Sequence, residues 1–175
     1  MEKLKTIEGE TYIWFNKEPS LEELQNIPIP KIYINYSKKN MLNLSNLPIT
    51  HIYLGWKHNY PINFLPNTLT HLTIKEMSKF NNIIVLPPNL KYLKLGIAFN
   101  QPINNIPPSL EFLSVSSNFN HPLVFLPPSL KTLEIKNTRY EFDLLNLPDS
   151  LEILKIPQNY QGNINLPVNC VISNI

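Results

Sequence analysis

A Leu or Ile followed by Pro recurs along the chain, with the proline at Pro28, Pro48, Pro66, Pro87, Pro107, Pro127, Pro148 and Pro167. Successive intervals are 20, 18, 21, 20, 20, 21 and 19 residues, and a period of this size marks a repeat array. After the fuller anchors comes an apolar triplet, L-x-x-L-x-[LIV]: Leu69/Leu72/Ile74, Leu90/Leu93/Leu95, Leu110/Leu113/Val115, Leu130/Leu133/Ile135 and Leu151/Leu154/Ile156. The first two units are shorter by two residues, giving Ile29/Ile32/Ile34 and Ile49/Ile52/Leu54. Between triplet and next anchor lies a phrase intact at Phe99-Asn100-Gln101-Pro102-Ile103 and Phe119-Asn120-His121-Pro122-Leu123, and blurred around His58, Phe80, Tyr140 and Tyr160.

The end of each triplet alternates apolar and variable residues, as in Leu93-Lys94-Leu95, which predicts a short strand with one buried face. Flanking prolines exclude helix interiors, and about twenty residues leave little room for a helix beside a strand and two turns. No unit can bury its apolar side alone, but stacked units can. The expectation is a right-handed, helix-poor solenoid, mainly β, with one short strand per coil paired in parallel into a curved sheet. About seven repeats fill 28–167. Residues 1–27 are expected to cap the first coil: KLKTIEGETYIWFN as a hairpin turning at Glu8-Gly9, then SLEELQN as a short helix with Ser20 as N-cap and Glu23 three residues on. Residues 168–175 supply a terminal strand, whose bare edge points to dimerisation, docking or fraying.

Composition removes several alternatives. The chain has 175 residues, 43% hydrophobic and 16% charged, with net charge +2, so no strong pull toward nucleic acid or anionic lipid is expected. MEKLKTIEGE lacks the apolar run of a signal peptide, and no stretch approaches the roughly 18 apolar residues of a membrane span. One cysteine, Cys170, excludes an internal disulfide framework and fits a reducing compartment. An intracellular, cytoplasmic protein is expected.

The run "LPPSLEFLSVSSNFNHPLVFLPPSLKTLEI" resembles the FNIP repeat, a leucine-rich-repeat-like motif found largely in amoebae and in giant viruses that infect them. It is also similar to the short, helix-poor leucine-rich repeats of bacterial effector proteins. The resemblance covers about residues 26 to 167 and implies partner binding, often as the recognition half of a larger protein. Some members carry an N-terminal F-box for ubiquitin-ligase substrate recognition, but residues 1–27 show no such apolar helical set.

The repeated residues read as structural. The aromatic position of the phrase should stack into a spine inside the coils, and the asparagine after it should satisfy backbone groups at a tight turn. Function is therefore sought at the variable strand positions, which face outward on the concave surface. Numbered from the first Leu, the third column is Lys31, His51, His71, Tyr92, Phe112, Thr132, Ile153 and the fifth is Tyr33, Tyr53, Thr73, Lys94, Ser114, Glu134, Lys155. Tyr33, Tyr36, His51, Tyr53, Trp56, His71, Tyr92 and Phe112 gather over the first five coils. Such a cluster suits a protein partner, host or viral; packing among the rings or under the N-terminal cap is the alternative. Beside it Lys91, Glu111, Lys131 and Glu152 form a ladder of alternating charge that supports strand register.

No catalytic set emerges. His51 and His71 share a column with His58 nearby, but lack the carboxylate or thiolate of a zinc site. No G-x-S-x-G or phosphate-cradling glycine loop is present, and Asp143 and Asp149 have no paired base. No enzyme activity, cofactor, metal or membrane partner is expected. Three classes remain: a protein-interaction module on the concave face, an assembly protein that self-associates through its C-terminal coil, and a binder of single-stranded nucleic acid. The balance of acidic residues argues against the third.

Overall fold

Each proline anchor opens a tight turn. The amide of the first triplet residue donates to the proline carbonyl three positions back, as in Leu69 to Pro66 (3.0 Å), Leu110 to Pro107 (3.1 Å) and Leu151 to Pro148 (2.9 Å). In the Pro-Pro units the second proline occupies the turn position for which its fixed φ is already suited. A second turn precedes the spine aromatic: Phe99 donates to Gly96 (3.0 Å), Phe119 to Ser116 (3.1 Å) and Tyr140 to Asn137 (3.1 Å). Two turns and one strand per twenty residues bring the chain back over itself. The result, seen in a computed structural model that describes residues 3–35, 43–57, 64–75 and 85–175, is a helix-poor β-solenoid of about seven turns.

The strands are β1 (Lys3–Ile7), β2 (Glu10–Phe15), β3 (Lys31–Ile34), β4 (His51–Leu54), β5 (His71–Ile74), β6 (Tyr92–Lys94), β7 (Phe112–Val115), β8 (Thr132–Ile135), β9 (Ile153–Ile156) and β10 (Val171–Asn174). They form a single sheet in sequence order, antiparallel between β1 and β2 and parallel thereafter. The register repeats the triplet: Leu72 pairs with Leu93, Leu93 with Leu113 and Leu113 with Leu133. The hairpin turns at Glu8-Gly9 as expected, and its second strand extends the sheet by pairing in parallel with β3. Helix α1 (Leu21–Gln25) begins with the expected capping box: Glu23 N–H donates to Ser20 Oγ (3.1 Å) and Ser20 N–H donates to the Glu23 carboxylate (2.7 Å). Among the described residues no helix is long and apolar enough to cross a membrane.

Triplet residues fill the interior: Leu69, Leu90, Leu110 and Leu130 are fully buried, as are Leu72, Leu113, Leu133 and Leu154. Beside them runs the aromatic spine. Phe99, Phe119, Tyr140 and Tyr160 stack in succession with ring centroids 6.2 Å apart at each step. Its earlier positions, His58 and Phe80, with Asn59 and Asn81, lie outside the described residues. Asn100 satisfies a backbone group as expected, but across coils, its Oδ1 accepting from the Asn120 amide at 2.9 Å, whereas the equivalent Oδ1 of Asn120 is buried with no hydrogen-bond partner among the described residues. Hydroxyls add a ladder that the sequence pattern did not flag. Ser129 Oγ lies 2.6 and 2.7 Å from the Pro108 and Leu110 carbonyls of the coil before, and Ser109 repeats the arrangement at 2.6 and 2.8 Å to Pro88 and Leu90. The serine of P-P-S-L thus ties its coil to the one before in both places where the phrase occurs. Glu111 bridges Lys91 (3.3 Å) and Lys131 (3.4 Å) in the charge ladder, an exposed pairing of small energetic value. Cys170 is buried beside the last coil, where burial pushes its thiol pKa up.

Candidate interaction surface

The third-column side chains leave the sheet on its outward face and meet their counterparts one strand away. Parallel strands in register hold identical positions about 4.8 Å apart, so rings in one column must stack. His51 lies 4.1 Å from His71 with planes 6° apart, His71 is 5.5 Å from Tyr92, and Tyr92 is 4.2 Å from Phe112 with planes 5° apart. All four are half-buried, each ring covering its neighbour's face while leaving an edge to solvent. Lys31 heads the column and is ion-paired with Glu10 of β2.

The fifth column departs from expectation. Tyr33 and Tyr53, expected on the open face, are only 3% and 4% exposed, and Thr73 beside them is also buried. The cause is the hairpin. Tyr12 of β2 meets Tyr53 edge-on at 5.9 Å, Tyr33 meets Tyr53 edge-on at 5.1 Å, and Ile7 and Trp14 pack against this cluster. Lys5 lies over the Tyr33 ring at 4.5 Å, a cation–π contact that closes the lid. Burial raises the phenol pKa of Tyr12 and, more strongly, that of Tyr53. Tyr33 and Tyr53 therefore lie covered by the hairpin and are not on the open face.

The expected patch divides into four parts. His51, His71, Tyr92 and Phe112 come together as one stack; Tyr33 and Tyr53 join Tyr12 under the hairpin; Trp56 is 56% exposed farther along the same face; Tyr36 lies outside the described residues. A pocket of about 170 Å³ lies between the hairpin tip and the stack, lined by Ile7, Glu8, Tyr53, His71 and Tyr92. A second, of about 190 Å³, is lined by Trp56, Lys75, Lys94, Ser116, Ser117 and Lys136. The basic character of this second pocket escaped the column-by-column reading, because Lys75 and Lys136 share the seventh column but sit three coils apart, and Lys94 between them belongs to the fifth. Reading the fifth and seventh columns together, which face the same side, is the signal that would have found it.

Electrostatics keep the stacked imidazoles neutral. Burial, then the neighbouring His71 and Lys31, push the His51 pKa down to about 4, against an opposing pull from Glu10. His71 is lowered chiefly by burial. Each Nδ1 shares a hydrogen bond with the preceding threonine hydroxyl, His51 with Thr50 at 2.8 Å and His71 with Thr70 at 2.9 Å. Because the folded pKa lies below the unfolded value of 6.5, the unfolded chain binds more protons between those limits. The stability contributed is complete above pH 6.5 and is lost as pH falls toward 4. Discounted for partial exposure, this is about 1 kcal/mol, so the melting temperature should drop by about 2–4 °C between pH 7 and pH 5. Replacing both rings, His51→Gln with His71→Gln, should flatten the profile over that window, where carboxylates contribute little. Among the described residues no three His, Cys, Asp or Glu side chains are grouped to hold a metal ion.

Comparison with known proteins agrees with this geometry. Residues 45–76, 80–118 and 99–138 match the family model of the FNIP repeat and together span just over half of the chain. Among solved structures the chain is similar to the crystal structure of CroV588, a circular LRR protein, with a TM-score of 0.69 and 28% sequence identity. The similarity covers 81% of this chain but 23% of that one, so the chain spans less than a quarter of its length. No curated protein matches the chain.

Proposed function

The chain belongs to the FNIP-repeat family, and from that premise we propose that it is a non-enzymatic module that binds a protein partner on the outward, concave face of its sheet. A repeat solenoid of this kind is generally a scaffold for protein interaction. The observation that carries the reading is the open stack of His51, His71, Tyr92 and Phe112, a row of half-exposed rings on rigid strands. Rings fixed in advance lose little freedom on binding, which is why aromatic anchors dominate protein interfaces. Ring spacing supports the concavity. Centroids are 6.2 Å apart along the internal spine but 4.1–5.5 Å apart along the outward column, as expected if coils fan apart behind the sheet. The known distribution of FNIP repeats makes the cytoplasm of an amoeba, or of one infected by a giant virus, the expected setting.

The reading is tested by immobilising the protein beside a His71→Ser/Tyr92→Ser variant, exposing both to amoebal lysate and identifying retained proteins by mass spectrometry. A partner held by the wild type should be depleted at least about tenfold by the variant, which removes two anchors. Equal recovery from both, or no specific recovery from either, would count against it.

A second reading, self-association, is favoured by β10. All four of its residues are exposed, and its apolar Val171 and Ile172 are 60% and 45% accessible. Sedimentation velocity separates the two readings: assembly predicts species that grow with concentration, whereas partner recognition does not.

A further inference from the structure

The tip of the N-terminal hairpin is unusual in backbone and in side chain. Glu8 has φ 51° and Gly9 φ 83°, a two-residue turn with both centres left-handed. Glycine accepts that conformation freely, and Asn or Asp are the usual partners before it; glutamate is disfavoured there. Yet the Glu8 side chain crosses the sheet to Lys94 of β6, 86 positions away in sequence, with its carboxylate 2.7 Å from Nζ. Lys94 is itself largely enclosed, with 21% of its side chain exposed. The hydrogen bond from Lys94, assisted by the charges of Lys94, Lys75 and Lys136 and opposed by burial, holds the Glu8 carboxyl below its usual range.

This ion pair stands between the two pockets described above, which share Thr73 as a lining residue. On one side lie the stacked rings. On the other, three lysines, three serines and Trp56 surround a space, and among the described residues Glu134 is its built-in counter-charge: it accepts from Ser114 Oγ at 2.5 Å and lies 3.5 Å from Lys136 Nζ. Among the described residues, one carboxylate among three ammonium groups leaves the site net positive, and Glu8 answers part of that charge. Lifting the tip would join the pockets into a trough with a basic end and an aromatic end.

We propose that this trough is a recognition site for an acidic segment of a partner protein, anchored by Lys75, Lys94 and Lys136, and that Glu8 occupies it in the free chain as an internal stand-in. This rests on the partner-binding reading above and adds the chemistry of the partner and an autoinhibitory step. The group already seated at Lys94 is a carboxylate carried on a turn beside an apolar residue, Ile7, which is what an acidic peptide would present. A nucleic acid fits less well, because the chain carries a net charge of only +2 and gives little long-range attraction to phosphate. Since the partner must displace Glu8, the free chain binds more weakly than the site alone would allow.

The test is fluorescence anisotropy with a fluorescein-labelled hexaglutamate peptide at low salt, using the full chain. Glu8→Gln should bind the peptide about tenfold more tightly than the wild type, within the usual range of coupling between competing groups. Adding Lys94→Gln to that variant should remove the gain, and Lys94→Arg should retain it. Hydrogen exchange supplies a readout independent of any variant: saturating wild type with the peptide should speed exchange of the amides of residues 7–12. The proposal is overturned if wild type and Glu8→Gln behave alike, including the case where neither binds, or if Lys94→Gln leaves affinity intact. It also fails if a single-stranded oligonucleotide of equal charge displaces the peptide at lower concentration. The His71→Ser/Tyr92→Ser capture experiment leaves Glu8 and Lys94 untouched, so partner recognition can survive there while the acidic ligand fails here, or the reverse.

Discussion

Phe119→Ala should remove about 3–5 kcal/mol of stability, the cost of emptying a large buried aromatic site that cannot collapse. Phe119 is completely buried, is sandwiched between Phe99 and Tyr140 at 6.2 Å on either side, and receives the edge of His121 at 5.9 Å. Its neighbours cannot close the gap, because each is held by its own turn to the strand of its coil: the Phe99 amide by Gly96 and the Tyr140 amide by Asn137. In a solenoid each coil touches only the coils before and after it, so one hole weakens two interfaces. Urea denaturation should show a lower midpoint with a broader transition, and Phe119→Leu should recover about half of the loss by refilling most of the volume. A loss below about 1 kcal/mol would mean that the spine is a by-product of the repeat and not a support for it.

Gly96→Ala should cost about 3 kcal/mol, near the upper end for overpacking, because the obstacle is backbone. A Cβ at Gly96 would fall on the carbonyl groups of Lys75 and Ile74 in the coil before, closer than real contacts allow. The backbone on both sides is tied: the Lys75 carbonyl accepts from Ile97 N–H at 3.2 Å, and Gly96's own carbonyl accepts from Phe99 N–H at 3.0 Å and from Ser116 Oγ at 2.6 Å. An added methyl must therefore pry two coils apart at the point where a turn, an inter-coil bond and the basic pocket meet. Thermal melts compared with Gly9→Ala give the contrast, since a Cβ at Gly9 meets open space and only the left-handed φ of 83° is strained. A Gly96→Ala variant as stable as the wild type would show that the coil spacing is looser than described.

The solenoid was legible because its determinants are local and repeated. The L-P anchor and the L-x-x-L-x-[LIV] triplet each specify a turn or a strand within six residues, and the period tells which strands are neighbours. The capping box at Ser20 and Glu23 was legible for the same reason. The surface was legible only in part. Column positions placed His51, His71, Tyr92 and Phe112 side by side on one face, and there they stack. Nothing in the alternation of β3 and β4 distinguishes an open Tyr33 or Tyr53 from a covered one. That depends on where the tip of a hairpin outside the repeat comes to rest, and the contact that fixes it, Glu8 with Lys94, joins residues 86 positions apart. The periodic part of a repeat protein is its most predictable, whereas the device that covers or exposes its face is aperiodic and has no internal copy for comparison.

The central claim, recognition on the outward sheet face, is tested most directly by calorimetric titration of the captured partner into wild type, His71→Ser/Tyr92→Ser, and a control altered off the sheet, Phe125→Ser, whose ring is 81% exposed. The account predicts a loss of about 100-fold in affinity for the double variant, corresponding to two anchors of about 1.4 kcal/mol each, with the control unchanged. An unchanged double variant, or a loss confined to Phe125→Ser, would place recognition elsewhere on the molecule and contradict it.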